Sequence, residues 1–298
     1  MKTRPIYVEI DIDTEMEDIW DASQQPDLHA QWDLRFSSIH YLPKKEGEPQ
    51  KFTYIRKVAP FITVKGWGKS VGTRSEASGP LSSSLHFGTD QWFSPIKEGK
   101  GYWKYIPQDR GVKFLTQYDY KPNFSGVGKF ADAIVFRPLM GWATALSFDV
   151  LKRWLEKDEA PRSQYLRFFI TYGLAMLFSL VWIYQGLIPK IIARHPEELA
   201  MVQSAIPGNH ATAIVIGIGI AEILFGLFWL VYKRKKHLFA FQLVVFPLLT
   251  VAAIVSVPET AMHPFNPVMF NLSLIALSLI GYFSSGDAPT AKSCKRKR

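Results

Sequence analysis

The sequence predicts two fold classes in succession: an α+β domain in which an antiparallel sheet wraps a long C-terminal helix, then an all-α bundle of four transmembrane helices. Three observations carry that reading. Residues 211–232 and 238–257 are apolar runs joined by the basic turn Lys233-Arg234-Lys235-Lys236-His237. Each is about the 20 residues that a helix rising ~1.5 Å per residue needs to cross ~30 Å of hydrocarbon. Residues 38–120 alternate apolar and polar side chains in short segments bounded by turn residues, the pattern of antiparallel strands. Residues 129–157 return to helical spacing, with Phe148, Leu151, Trp154 and Leu155 on one side and Lys152, Arg153, Glu156 and Lys157 on the other.

The formal net charge of +9 over 298 residues is unevenly distributed. Residues 1–159 hold 22 Lys and Arg against 21 Asp and Glu, whereas residues 160–298 hold 13 against 5. A nucleic-acid binder carries its charge as a patch on a folded domain; here the excess lies in the apolar half, so no nucleic-acid partner is expected. A single cysteine, Cys294, excludes an intramolecular disulfide and a cysteine-based metal site. Residues 1–12 alternate and carry charge without an apolar run, unlike a cleavable signal, so a later segment is expected to direct insertion.

In chain order, Ile6, Val8, Ile10 and Ile12 share one face of a half-buried strand. Thr14-Glu15-Met16-Glu17 has capping-box spacing and opens a short helix that Pro26 stops; a second helical turn runs to Trp32. Six strands are then predicted at 38–42, 51–58, 62–75, 82–89, 101–107 and 112–120, with turns at 43–47, 77–80, 95–99 and 108–111. Such short connections imply antiparallel neighbours. Gly99 and Gly101, like Gly126 and Gly128, complete no phosphate-loop pattern and are read as turns. Pro138 is expected to kink or restart the long helix that follows.

This order of elements, together with residues 20–32 and 141–155, resembles the START-type or SRPBCC superfamily with its helix-grip fold, over residues 1–159. The resemblance implies a pocket for a hydrophobic or lipid-like small molecule; some relatives are enzymes, many only bind. A strongly bent sheet around one helix encloses volume on independent grounds. From a heavy aromatic load, Trp32, Phe52, Tyr54, Trp67, Trp92, Tyr105 and Tyr118 are the candidate cavity residues. His29, Asp33, Arg35 and His86 permit a general-base arrangement on paper, but helix-end packing, surface position or a salt bridge accounts for them, and no catalytic group is assigned.

The membrane half, residues 160–298, has predicted spans at about 166–187, 211–232, 238–257 and 267–283. Eleven Lys and Arg lie near the span ends on one side (Arg162, Arg167, 233–236, Lys292 and 295–298), against Lys190 and Arg194 on the other. The positive-inside rule then places both termini and the first domain in the cytosol, with the cell membrane as location. Gly217 with Ala221, and Ala175 with Ser179, have small-xxx-small spacing for helix contact. Pro247 interrupts the third span, and Glu222 sits in the second, where a carboxylate is costly and must face the bundle interior. The polar connection between the first two spans is expected to hold an interfacial amphipathic helix.

Gly186-Leu187-Ile188-Pro189-Lys190, Glu222, and His263-Pro264-Phe265-Asn266-Pro267 followed by Asn271 resemble the DoxX-like membrane family over residues 166–284. The resemblance implies interest in Pro189, Lys190, Glu222, His263, Asn266 and Asn271. Its namesake belongs to a quinone-reducing oxidoreductase. The sequence shows no redox centre or metal site, and no cofactor is expected. The first reading is a non-enzymatic membrane protein whose cytosolic domain binds a hydrophobic molecule. The alternative is an accessory subunit of a membrane oxidoreductase handling a quinone near Glu222. A third is an assembly protein that docks on a membrane protein partner.

Overall fold

The computed structural model describes residues 4–74, 79–206, 210–256, 258–262, 264 and 266–297. The chain divides into two compact units, Met1–Tyr165 with Pro289–Arg298, and Leu166–Ala288. In the first unit β1 (Ile6–Ile12), α1 (Met16–Gln24) and α2 (Pro26–Trp32) precede six strands: β2 (Ser38–Tyr41), β3 (Lys51–Ala59), β4 (Ile62–Arg74), β5 (Leu81–Gly88), β6 (Ile96–Pro107) and β7 (Val112–Pro122). Then α3 (Val127–Ala131), a π turn (Asp132–Phe136) and α4 (Arg137–Lys157) run without a break. The sheet order is β2-β3-β4-β5-β6-β7-β1-β8, where β8 is Lys295–Lys297, and its pairings are antiparallel.

This is the helix-grip arrangement that the alternation and the long amphipathic helix predict. Ile6, Val8, Ile10 and Ile12 all point into the core, and α4 crosses them. Its N-terminal end is tied to the sheet by Arg137, which donates to the Arg4 carbonyl and to Asp119. Its C-terminal end is tied by Lys152, which donates to the Asp11 carbonyl, and by Glu156, which accepts from the Asp13 amide. Asp158 ends it in the left-handed region at φ 54°, its N–H closing on the Trp154 carbonyl. That conformation favours Gly, but a short polar side chain tolerates it. Between α4 and the sheet lie the buried rings of Trp32, Tyr105, Phe114 and Phe148, with Phe114 and Phe148 stacked 4.6 Å apart. Burying each such side chain contributes roughly 2 to 3 kcal/mol.

Two local readings are corrected. Gly99 and Gly101 lie inside β6, not in turns, because the Phe87 ring and the Tyr118 side chain occupy the space where Cβ atoms would be. α1 has Glu15 at its N-cap without a side-chain bond, while Thr14 donates to Asp18 instead. The basic chain end supplies β8, paired through Lys295, Arg296 and Lys297 to Glu9, Val8 and Tyr7.

The second unit is helical. α5 (Pro161–Gln185), whose residues up to Tyr165 belong to the first unit, continues into a π segment (Gly186–Ile192), followed by α6 (Pro196–Ala205), α7 (Ala211–Val231), α8 (Lys235–Ser256), a 3-10 turn (Pro258–Met262) and α9 (Pro267–Ser285). Five helices of the described chain are long and apolar enough to cross a membrane: Val127–Lys157, Pro161–Ile192, Ala211–Val231, Lys235–Ser256 and Pro267–Ser285. The first is the gripped helix of the sheet domain; its apolar window is 56% buried, against 17–33% for the other four. Phe178, Trp229, Phe239 and Phe246 fill the interior of the second unit. Helices approach closely at Gly186 against Gly219 and at Gly226 against Ser179 and Ile183. Ser179 thus sits at a close contact, whereas a Cβ on Gly217 would meet nothing within 4 Å, so the expected Gly217 contact is absent.

Candidate functional site

The register divides the first unit's sheet into two faces. Residues directly opposite in antiparallel pairs share a face. Ile39 and Tyr41 pair with Tyr54 and Phe52; these pair with Gly66 and Gly68, and Phe87 pairs with both Gly68 and Gly99. Gly101 pairs with Tyr118, so all of these share the face that holds Trp103, Tyr105 and Phe114. On β6, β7 and β1 this face is closed by α4. On β3 to β5 it is half-buried, and the rings of Tyr54, Phe52 and Phe87 lie across Gly66, Gly68 and Gly99. Glycine there lets the rings lie flat, giving a shallow apolar floor.

A polar cluster stands beside that floor. Asp33 accepts two bonds from Arg35, Nε to Oδ1 at 2.9 Å and a terminal nitrogen to Oδ2 at 2.6 Å, and His29 Nε2 lies 3.0 Å from Oδ2. The i to i+4 spacing on α2 brings His29 over Asp33. Burial alone would raise the Asp33 carboxyl, but Arg35 and His29 hold it well below the usual carboxylate range. Burial lowers His29, only partly offset by Asp33, so its imidazole is neutral at pH 7. The His29 ring is packed by Trp32, Phe36 and Trp103. Arg35 is 5.4 Å from the centre of the Tyr118 ring, and the Tyr118 hydroxyl is 3.0 Å from Thr144 Oγ1. Tyr165 donates to the Trp32 carbonyl at 2.5 Å and lies 3.3 Å from Ser147 Oγ.

Arg56, on the same face of β3, is half-buried and has no hydrogen-bond or ion-pair partner among the described residues. Burial lowers its pKa against the pull of Asp33 and Tyr165. Burial pushes the Tyr54 phenol up to about 12, so it stays protonated and able to donate. Arg56, Thr144 and Tyr165 were missed by sequence reasoning; the alternation that puts Arg56 in phase with Phe52 and Tyr54 was the available signal.

The predicted aromatic residues separate into three groups. Phe52 and Tyr54 belong to the half-buried floor. Trp32, Tyr105 and Tyr118 are core residues whose polar atoms are engaged: Trp32 Nε1 donates to the Ala22 carbonyl, and the Tyr105 hydroxyl meets Ser23 at 2.7 Å and Gln24 at 2.9 Å. Trp67 and Trp92 do not line the inner face. Trp67 pairs with Thr53 and Gly88, which puts it on the outer face against His86, and Trp92 is 80% exposed on the loop before β6. His86 is also an outer-face residue, its Nε2 2.5 Å from Glu98.

In the second unit the predicted polar residues divide differently. Pro189 lies inside the π segment, which widens one turn where a residue without an N–H is accommodated. That turn carries Lys190 between two carboxylates, its Nζ 3.1 Å from Glu198 Oε1 and 3.2 Å from Glu222 Oε2. The Gly186–Gly219 approach one turn away sets the distance between the helices. Glu222 Oε2 is within ion-pair reach of Lys190 but lacks hydrogen-bond alignment. Asn266 caps α9, accepting from the Met269 amide at 2.9 Å. Asn271 donates to Thr250 Oγ1 at 3.0 Å, and Thr250 donates to the Phe246 carbonyl, beside Pro247. His263 lies outside the described residues. Lys190 and Glu222 therefore form one site, to which Glu198 is added, while Asn266 is a cap and Asn271 belongs to a contact between α8 and α9.

The DoxX-like family matches residues 179–279. The uncharacterized membrane protein YndG of Bacillus subtilis (strain 168) is 45% identical over 188 residues, 62% of this chain and 70% of that protein. Among solved structures, the STAR-related lipid transfer protein (fragment 25–204) from Xanthomonas axonopodis is 16% identical, covering 50% of this chain and 84% of that one at a TM-score of 0.38. SA2116 from Staphylococcus aureus is 14% identical, covering 53% and 97% at a TM-score of 0.38.

Proposed function

Because the chain belongs to the same family as the uncharacterized membrane protein YndG of Bacillus subtilis and carries a DoxX-like region at residues 179–279, we propose that it is a membrane-anchored binding protein for a hydrophobic or amphipathic small molecule. The observation that carries this reading is the half-buried floor of Phe52, Tyr54 and Phe87 lying over Gly68, Gly66 and Gly99. Apolar surface kept open beside a closed core suits an apolar body. Arg56, half-buried on the same face of β3 and within electrostatic reach of Asp33 and Tyr165, suits an acidic or acceptor-bearing head. The helix-grip unit faces the cytosol and the helical unit anchors it in the cell membrane. Support comes from the eleven-to-two Lys and Arg asymmetry, and from Tyr165 and Pro289 belonging to one unit, which fits an even number of crossings between them.

The test is mass spectrometry of small molecules that co-purify with the full chain in detergent, for wild type, Arg56→Glu and Phe52→Arg. A compound enriched on the wild type and lost from both variants is the expected result. Identical extracts from all three would sink the reading.

The second reading, a quinone-handling accessory subunit, is favoured by the Lys190–Glu222–Glu198 cluster, where two carboxylates share one ammonium and a protonatable oxygen is left over. It requires a quinone-dependent activity that Glu222→Gln lowers; an activity indifferent to that substitution removes Glu222 from it.

A further inference from the structure

We propose that one end of the helix-grip unit is a bilayer-docking surface, independently of what its inner face binds. In an antiparallel meander alternate connections emerge at the same end. The β3–β4 hairpin tip, the loop between β5 and β6, and the passage from β7 into α3 therefore lie together. Hydrogen bonds stitch them: Gln91 Oε1 accepts from the Lys65 amide at 2.7 Å, and Asn123 Nδ2 donates to the Gln91 and Trp92 carbonyls at 3.1 and 3.0 Å. The side chains displayed there are apolar. Phe61 is 98% exposed, Trp92 80%, Val127 85% and Phe130 63%, with Phe93 and Val135 beside them. A bonded scaffold that holds so many large apolar groups in water marks an interaction surface.

Charge identifies the occupant as lipid. Lys57, Lys65, Lys97, Lys121 and Lys129 are all exposed at this end. Nearby acids are occupied: Asp119 and Asp132 face Arg137, and Glu98 faces His86, leaving Asp90 as the exposed acid of the loop. Aromatic side chains ringed by lysines suit an interface where rings enter the headgroup layer and ammonium groups meet anionic lipid. At the opposite end the turn Gln108-Asp109-Arg110-Gly111 is polar, with an Arg110–Asp13 pair at 2.6 Å. The membrane helices of the same chain keep the unit beside a bilayer at high effective concentration, so weak docking suffices.

The test uses the full chain with Cys294→Ser as background, which retains a donor toward the Ala145 carbonyl. Single cysteines at Trp92, Phe130 and Asp109 carry a nitroxide, in vesicles of phosphatidylcholine and phosphatidylglycerol mixed three to one. The sites at Trp92 and Phe130 are expected to collide several-fold more with oxygen than with a water-soluble nickel complex, and the Asp109 site to show the reverse. In phosphatidylcholine alone the preference at Trp92 and Phe130 is expected to weaken. Water-like accessibility at all three sites overturns the proposal. So does spin–spin broadening between copies at Trp92, which would make a second copy the occupant.

Discussion

Asp33 and Arg35 carry the largest electrostatic stake in the helix-grip unit. The carboxylate is fully enclosed, and its charge is acceptable only because a bidentate guanidinium and His29 face it. Arg35→Met is expected to cost about 3 to 5 kcal/mol of stability, because it strands a buried charge. The double replacement Asp33→Leu with Arg35→Met should recover most of that loss, since no charge then remains to be solvated. Thermal melting of the purified full chain checks both, and equal melting of the single and double variants would show that the pair contributes packing alone. The same cluster sets a pH dependence. His29 and Asp33 both have folded pKa values below their unfolded ones, so the unfolded chain binds more protons and stability rises with pH. The His29 contribution is complete above its unfolded value near ~6.5 and is lost as pH falls through the folded value; that of Asp33 starts to be lost only below ~3.9. Melting temperature is therefore expected to drop between pH 7 and pH 5, and His29→Phe to flatten that slope. An unchanged slope would assign it to another group.

At the scale of elements, glycine decides the helix contacts. A Cβ on Gly186 would stand 2.3 Å from the Gly219 carbonyl oxygen, so Gly186→Ala must push α5 and α7 apart and move Lys190 from Glu222. Gly217→Ala, with open space around it, is the matched control. The first is expected to reduce folded yield and melting temperature sharply and the second to leave both near wild type; similar behaviour of the two would refute the packing argument. The strands and helices themselves were legible because period two and period 3.6 are properties of the residues in order. Alternation also groups residues by face, but the parity of that face belongs to the pairing register, which is why Trp67 is on the outer side and Tyr54 on the inner. Gly99 and Gly101 resemble a turn until the side chains of Phe87 and Tyr118 are seen above them. The Lys190–Glu222 pair was traceable through residue type, whereas Glu198 enters through a π turn that hydrophobic spacing does not encode. Arg56 gave a phase signal too weak to outweigh the ordinary exposure of arginine in strands.

At the scale of the molecule, the chain closes on itself. After the helical unit it returns at Pro289, and its last residues fasten to the helix-grip unit. The Thr290 amide and the Ser293 hydroxyl both donate to Asp149, at 2.8 and 2.5 Å, and Cys294 Sγ donates to the Ala145 carbonyl at 3.2 Å. β8 then covers the free edge of β1, which an open sheet would otherwise offer to another chain. The helical unit is thus an insertion within the sequence of the first unit, whose last strand is made after the helical unit has been synthesised. The single thiol reports whether this closure is populated. Burial pushes Cys294 up to about 12, with the Ser293 hydrogen bond opposing, so little thiolate exists at pH 8 and alkylation by iodoacetamide is expected to be slow. Asp149→Ala removes the acceptor of two tail bonds while α4 keeps its apolar packing on the sheet. In that variant the rate is expected to rise at least about tenfold toward that of a peptide thiol near its ordinary value of ~8.5, with the far-ultraviolet circular dichroism unchanged. A wild-type thiol that reacts as fast as a free peptide would mean that the strand is undocked in solution and that the β1 edge is open.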